Sequence, residues 1–289
     1  MGIFPVSSEQ LNLLDIGRRF SPFSNEACKL PVCYVHFYTR EDFAAASAQF
    51  SAFSAYIAKC ERGETISGEL SVNEFGFSPL TDGIALRDDE PVFIWLHNAY
   101  RRMEVVLPAG FATPHRMEHL AMRAYQYTAV MSDFFLLHAA AVEYCGAGIA
   151  FCGISGAGKS TQARLWSRTY GASAINNDQP CVFFDNGSAF LHGTPWSGKE
   201  PCYRNEYFPL RAIVFVEQST TERVERLSAA EAFSLLYLNN RMLPIYPAPE
   251  AAYTALAERL ATSVPVYRQF CSATELAPHT LRQALFGKD

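Results

Sequence analysis

Apolar positions along this chain change period several times, and each change predicts an element. Leu30–Tyr38 alternates apolar and polar and is β-like. Between Glu41 and Cys60, Phe43, Ala46, Phe50, Phe53 and Ile57 recur at three- and four-residue steps, which predicts a helix. From Thr65 to Leu107 short apolar runs are broken by Asn73, Pro79, Asp82-Gly83 and Asp88-Asp89, the pattern of an antiparallel β-region. Its clearest strand is Val92–Leu96, opened by Pro91. Pro108-Ala109-Gly110 ends that pattern. Thr113 and Pro114 then open a helix to about Phe134, with Met117, Leu120, Ala121, Ala124 and Tyr125 on its buried face.

In the second half, Leu136–Glu143 and Ile149–Cys152 read as neighbouring strands around a turn at 145–148. A helix follows and is closed by Gly171. Ala174-Ile175 and Cys181–Phe184 are strand-like, Asp185-Asn186-Gly187-Ser188 is a hairpin turn, and Ala189–Leu191 returns. Arg211–Glu217 is another strand. Ser228 and Glu231 form a capping box for a helix through Tyr237, and Pro249–Ala261 is a further helix. The helix from 113 leads directly into the strands that follow, so the expected domains are 1–112, a β-rich α+β region, and 113–289. No internal repeat and no low-complexity linker is visible.

Composition narrows the class. The hydrophobic fraction of 49% and charged fraction of 18% describe a globular protein with a large core. A net charge of −5 argues against a nucleic-acid partner. No apolar run reaches the roughly 18–20 residues of a membrane span, and the N-terminus lacks a signal-peptide pattern. The eight cysteines show no C-x-x-C pair, so reduced thiols and a cytoplasmic location are expected rather than zinc or disulfides.

The chemistry is concentrated at Gly153-Ile154-Ser155-Gly156-Ala157-Gly158-Lys159-Ser160-Thr161. Gly153, Gly158, Lys159 and Ser160 complete the pattern G-x-x-x-x-G-K-[ST], with a short apolar strand before it and a helix after it. Glycines allow backbone N–H groups to turn inward around phosphate oxygens at a helix N-terminus. The expected nucleotide contacts are Gly153, Ser155, Gly156, Ala157, Gly158, Lys159, Ser160 and Thr161. Lys159 is placed at the β- and γ-phosphates and Ser160 on Mg²⁺. ATP and Mg²⁺ are therefore the expected cofactors.

The loop alone fits several classes. Transporter ATPases also need a Leu-Ser-Gly-Gly-Gln signature, and switch GTPases an Asn-Lys-x-Asp, and neither occurs. Three features around the loop carry a resemblance: His138 stands 21 residues before Lys159, Asn176-Asn177-Asp178 follows the loop helix, and Gly193-Thr194-Pro195-Trp196-Ser197-Gly198-Lys199 lies beyond. Residues 134–275 thereby resemble the catalytic domain of the HPr kinase/phosphorylase family, a relative of ATP-dependent phosphoenolpyruvate carboxykinase. The resemblance implies a P-loop kinase core with a mixed sheet and hairpins. It implies transfer of a γ-phosphate to a hydroxyl of a small molecule, or of a Ser or Thr in a peptide or protein, and a homo-oligomer.

By the same resemblance Asp178 is the metal-side carboxylate, and Asn177 stands where the family has a second acidic residue. That departure leaves two other functions open: a nucleotide-binding regulatory module with weakened catalysis, and an ATPase switch. The remaining candidates each have a structural alternative. His138 contacts the transferring phosphate or Asp178, or is an imidazole satisfied within the sheet. Asp178 is functional or caps a turn before Pro180. Lys199 and Arg204 face an anionic substrate or are solvated surface charges, and Trp196 stacks on substrate or pins its loop. Glu217 is a second acidic site or a strand end, and Arg101-Arg102 is a solvated pair.

Overall fold

The computed structural model describes residues 2–5, 34–64, 66, 70–72, 75–80, 83–87, 92–108, 110–111, 113–198, 201–202, 204–239 and 247–287. It is a mixed α+β protein with two mixed sheets, divided into two compact units. Among the described residues the first unit runs to Met131 and the second begins at Ser132.

The first unit contains β1 (Gly2–Pro5), β2 (Tyr34–Thr39), helices α1 (Arg40–Ala46) and α2 (Ser51–Glu61), and β3 (Leu70–Val72). It continues with β4 (Phe75–Leu80), β5 (Gly83–Arg87), β6 (Phe93–His97), β7 (Arg102–Leu107) and α3 (Pro114–Val130). Its sheet runs β1-β2-β7-β6-β5-β4-β3. The antiparallel meander β3–β7 follows from the alternating runs of 65–107, and β1, β2 and β7 are parallel.

The single helix expected over 41–60 is instead broken by a 3₁₀ turn at Ser47–Phe50. The Ser47 hydroxyl donates to the Ala44 carbonyl at 2.8 Å, a local bond that competes with helix propagation. The break lets Phe43, Phe50 and Phe53 meet: Phe43 stacks on Phe50 at 5.8 Å and meets Phe53 edge-on at 5.5 Å. The boundary expected near 112 also moves. Helix α3 belongs to the first unit, where Tyr127 stacks on Tyr100 and the Thr128 hydroxyl donates to the Tyr100 carbonyl. It stops at Val130 rather than Phe134, in a turn that places Asp133 at φ 64°.

The first unit holds a buried charge. Glu104 on β7 is fully buried and accepts from His36 of β2 at 2.9 Å and from His97 of β6 at 3.1 Å. Arg102, expected as half of a solvated pair, lies 3.5 Å from the same carboxylate. Burial pushes the Glu104 carboxyl up, but the hydrogen bonds from His36 and His97 outweigh it and hold it down at about 2.

The second unit contains β8 (Phe134–Leu136), β9 (Ala139–Tyr144), β10 (Ala147–Cys152), α4 (Lys159–Tyr170), β11 (Ser173–Asn176), β12 (Cys181–Asp185) and β13 (Ser188–His192). Next come β14 (Tyr207–Gln218), β15 (Arg223–Arg226), α5 (Ala229–Asn239), α6 (Pro247–Ser263), β16 (Val266–Cys271) and α7 (Leu276–Phe286). The nine strands run β11-β9-β10-β14-β13-β12-β8, with β16 added to β14 and β15 to β16. The turn at Asn186-Gly187 (φ 48° and 82°), the left-handed cap at Gly171 (φ 69°) and the Ser228–Glu231 capping box are present as expected.

Helices α4 and α7 cover one face of this sheet. Trp166 and Ala163 from α4, and Ala277, Leu281 and Leu285 from α7, pack on Ala140, Val142, Ile149, Phe151, Val214 and Val216. The alternation along β9, β10 and β14 is what supplies that face. Strands β10, β14 and β16 are mutually parallel, so their C-terminal ends converge on one edge. In α/β sheets that edge is where ligands bind.

Stability of the first unit is expected to fall on acidification. Because the Glu104 pKa is depressed in the folded state, its contribution is complete above the unfolded value of about 4.3 and is lost as pH falls toward about 2. Denaturant midpoints from pH 6 to 3 should drop less in Glu104→Gln than in the parent chain. The variant should start lower at pH 6 by roughly 1.5–3 kcal/mol. Parallel profiles for the two proteins would refute the assignment.

Candidate active site

Strand β10 ends at Cys152, and α4 begins at Lys159. Between them Gly153, Gly156 and Gly158 take φ of 145°, 82° and 106°, values that side-chain-bearing residues rarely adopt. Gly153 is also closely packed: a Cβ there would lie 3.0 Å from the Ala157 Cβ and 3.0 Å from the Val216 carbonyl oxygen, so both would have to give way slightly. The loop is held in place by Ala157 N–H donating to the Ile154 carbonyl at 3.1 Å and by the Gln218 side chain donating to the Gly156 carbonyl at 2.8 Å. Lys159 Nζ folds over it, donating to the carbonyls of Gly153 (2.9 Å) and Ile154 (3.2 Å).

The facing wall is built where β8 passes into β9. The sequence pattern suggests one strand over 136–143, but the chain crosses there from β12 to β10. Leu137 N–H donates to the Pro180 carbonyl and Ala139 N–H to the Asp178 carbonyl, both at 2.9 Å. His138 sits between these two bonds. Its Nε2 lies 3.6 Å from Asp178 Oδ1.

Asp178 is positioned in turn by Asn176, whose side chain is fully buried. Asn176 Oδ1 accepts from the N–H of Asp178 (2.9 Å) and of Gln179 (2.8 Å), and its Nδ2 donates to the Thr194 carbonyl at 3.1 Å. The Thr194 hydroxyl donates to the Gln179 carbonyl at 2.6 Å, and Gln179 N–H donates to the Trp196 carbonyl at 3.2 Å. The 193–198 loop is thus clasped to the Asp178 turn. Gly198 completes the fit, because a Cβ there would come within 3.1 Å of the Asp178 Cβ.

These walls enclose a cavity of about 510 Å³. Ser155, Gly156, Gly158, Lys159, Ser160 and Thr161 line it on one side, and His138, Asn177, Asp178, Ser197 and Gly198 on the other. Gly153 and Ala157 shape the loop without facing this cavity. Arg164, which the sequence pattern did not single out, also lines it, one turn into α4.

Other candidates lie elsewhere. Arg204 donates to the Ala174 carbonyl at 3.0 Å and pairs with Glu206, and it does not line the cavity. Trp196 is buried and pins its loop. Glu217 pairs with Arg268 at 3.1 Å. Lys199 lies outside the described residues.

Burial pulls the His138 imidazole below its ordinary value, the nearby Lys159 ammonium adds to this, and the Asp178 carboxylate opposes it. Burial likewise lowers Lys159, with Cys152 and Asp178 opposing. Cys152 beneath the loop is fully buried, and burial pushes its thiol up to about 12, which makes it an inert packing group.

No protein-family model matches the chain, and no curated protein matches it in sequence. Among solved structures it is similar to the HPr(Ser) kinase/phosphatase from Coxiella burnetii, at 9% identity and a TM-score of 0.30, over 52% of this chain and 95% of that one. A likeness at that level says nothing about activity, which rests on the residues of the cavity. Among the described residues no helix is long and apolar enough to cross a membrane.

Asn176→Ala is expected to lower stability by about 1–3 kcal/mol, because it removes the acceptor of the Asp178 N–H, leaves the Gln179 N–H only its longer bond to the Trp196 carbonyl, and loosens the Thr194 clasp. Chemical denaturation measures this. A loss under about 0.5 kcal/mol, the scale of an ordinary surface change, would show that Asn176 does not hold the turn.

Proposed function

We propose that this chain is an ATP- and Mg²⁺-dependent phosphotransferase that moves a γ-phosphate to a hydroxyl acceptor, a small molecule or a Ser or Thr of a peptide or protein. One observation carries the reading: Lys159 on a glycine loop at a helix N-terminus and the His138–Asp178 pair on the facing wall line the same cavity. A helix N-terminus with left-handed glycines ahead of it favours phosphate. Lys159 exchanges its two loop carbonyls for phosphate oxygens and neutralises charge on the group being transferred.

Among the described residues no three His, Cys, Asp or Glu side chains are grouped to hold a metal by themselves. Mg²⁺ does not require that, since it takes one or two carboxylates and completes its shell with phosphate oxygens and water. The oxygen donors Asp178 and Ser160, both lining the cavity, suit it. When bound, the ion neutralises charge on the phosphates.

The protein groups divide the remaining work. Asp178 orients the acceptor hydroxyl. Burial and the Lys159 ammonium lower the His138 pKa, which favours the neutral imidazole on the wall of the same cavity. Phosphoryl transfer passes through a loose transition state in which positioning and charge neutralisation outweigh strong base catalysis, so one carboxylate suffices. Asn177 beside Asp178 favours a second reading, a module that binds nucleotide and transfers nothing, because an amide replaces the second carboxylate expected there.

Turnover of Mg²⁺-ATP against a panel of hydroxyl compounds and Ser/Thr peptides separates the two. Lys159→Ala and Asp178→Asn should each lower transfer by about 10²–10³-fold, with Lys159→Ala also weakening nucleotide binding. Tight binding of ATP with no turnover on any acceptor would discard the phosphotransferase and leave the module. Unchanged transfer in Asp178→Asn would remove Asp178 from the metal side.

A further inference from the structure

Arg164 lines the cavity shared by Lys159 and the His138–Asp178 pair, yet the transfer of a γ-phosphate assigns it no task. Helical side chains lean toward the N-terminus and cover the residues three and four positions earlier. Arg164 follows Thr161 by three positions and Ser160 by four. It is exposed, and its Nη2 reaches back to donate to the Thr161 hydroxyl at 3.4 Å. The guanidinium therefore lies over the first turn of α4, at the wall of the cavity.

Charge on this wall exceeds what the nucleotide employs. Among the described residues lining the cavity, Lys159 and Arg164 are cationic and Asp178 is acidic. Loop N–H groups, Lys159 and the metal answer the triphosphate, and Asp178 answers the metal. Arg164 begins a full turn beyond those N–H groups, so its guanidinium suits an anion other than the one they hold. Asn177, also on the wall, is an amide that offers N–H donors and carries no charge to repel such an anion. A guanidinium presents its donors in a planar fork, which matches a carboxylate or a phosphate through two parallel bonds. The volume of about 510 Å³ is that of a small-molecule site.

Resting on the phosphotransferase reading, we infer that Arg164 is a specificity-determining residue that receives an oxyanion of the acceptor. The acceptor is then a small hydroxyl compound that also carries a carboxylate or a phosphate, rather than a neutral hydroxyl compound.

The test is steady-state phosphoryl transfer from Mg²⁺-ATP to matched acceptors: glycerol, glycerate and glycerol 3-phosphate, then glucose, gluconate and glucose 6-phosphate. The full chain, Arg164→Met and Arg164→Lys are compared, with calorimetric titration of Mg²⁺-ATP into each. The parent chain is expected to favour the anionic members over the neutral member of a set by about 10–100-fold in kcat/KM, the size of one charge-assisted hydrogen bond. Glycerate and gluconate against the two phosphate esters show which oxyanion it takes. Arg164→Met should lose the preference through the acceptor KM while binding Mg²⁺-ATP as the parent does, and Arg164→Lys should restore part of it. Equal or better transfer to the neutral compounds by the parent overturns the anionic acceptor, whatever the variants do. A preference retained in Arg164→Met overturns the role of Arg164. Weakened Mg²⁺-ATP binding with an unchanged acceptor KM assigns Arg164 to the nucleotide and overturns the inference while keeping the phosphotransferase. Bound nucleotide with no transfer to any acceptor, charged or neutral, overturns both.

Discussion

The arrangement of the site depends on one buried amide. Asn176 is the last residue of an edge strand, and from there its side chain satisfies two backbone N–H groups of the following turn and reaches the Thr194 loop. A buried polar side chain is costly unless its hydrogen bonds are made, and once made they are hard to rearrange. The turn bearing Asp178 is therefore rigid. The same turn receives the hydrogen bonds from Leu137 and Ala139 that hold His138 opposite the loop. Three segments far apart in sequence thus meet at a carboxylate that is held by its backbone and left about a third exposed for a ligand.

The opposite wall follows a different logic. Residues 153–158 are shaped mainly by backbone conformation, with the Gln218 side chain bonded to the Gly156 carbonyl, above an apolar cluster. Phe151, Trp166 and Val216 fill the space under the loop, so the start of α4 is fixed by packing against the sheet. Lys159 Nζ rests on the Gly153 and Ile154 carbonyls of this wall. Polar satisfaction on one wall and close packing on the other give a cavity whose sides do not depend on each other for their shape.

The first unit applies the same principle to a buried charge. Glu104 is placed between His36 and His97 by strand register alone, since His36 and Trp95 stand opposite it on the neighbouring strands. Alternation in the sequence could place each strand. It could not show that three charged or titratable residues, separated by up to 68 positions, would share one face.

Much of the secondary structure was legible because its causes are local. The glycine loop, the Asn186-Gly187 turn, the Gly171 cap and the Ser228–Glu231 box are each set by residues a few positions apart. What failed was governed from a distance. Gln269, buried in β16 and bonded to the Ala277 carbonyl at 2.9 Å, interrupts the apolar pattern that would otherwise mark β16. The split of 136–143 into β8 and β9 depends on which strands lie alongside, and the helix from 114 joins the first unit because Tyr100 is there to receive it. The sequence by itself determined the phosphate-loop motif and the residue types available around it, since those need only neighbouring backbone conformations. Tertiary structure alone decided that His138 and Asp178 line one cavity with Lys159 and that Arg204 turns away, because each depends on contacts between segments distant along the chain.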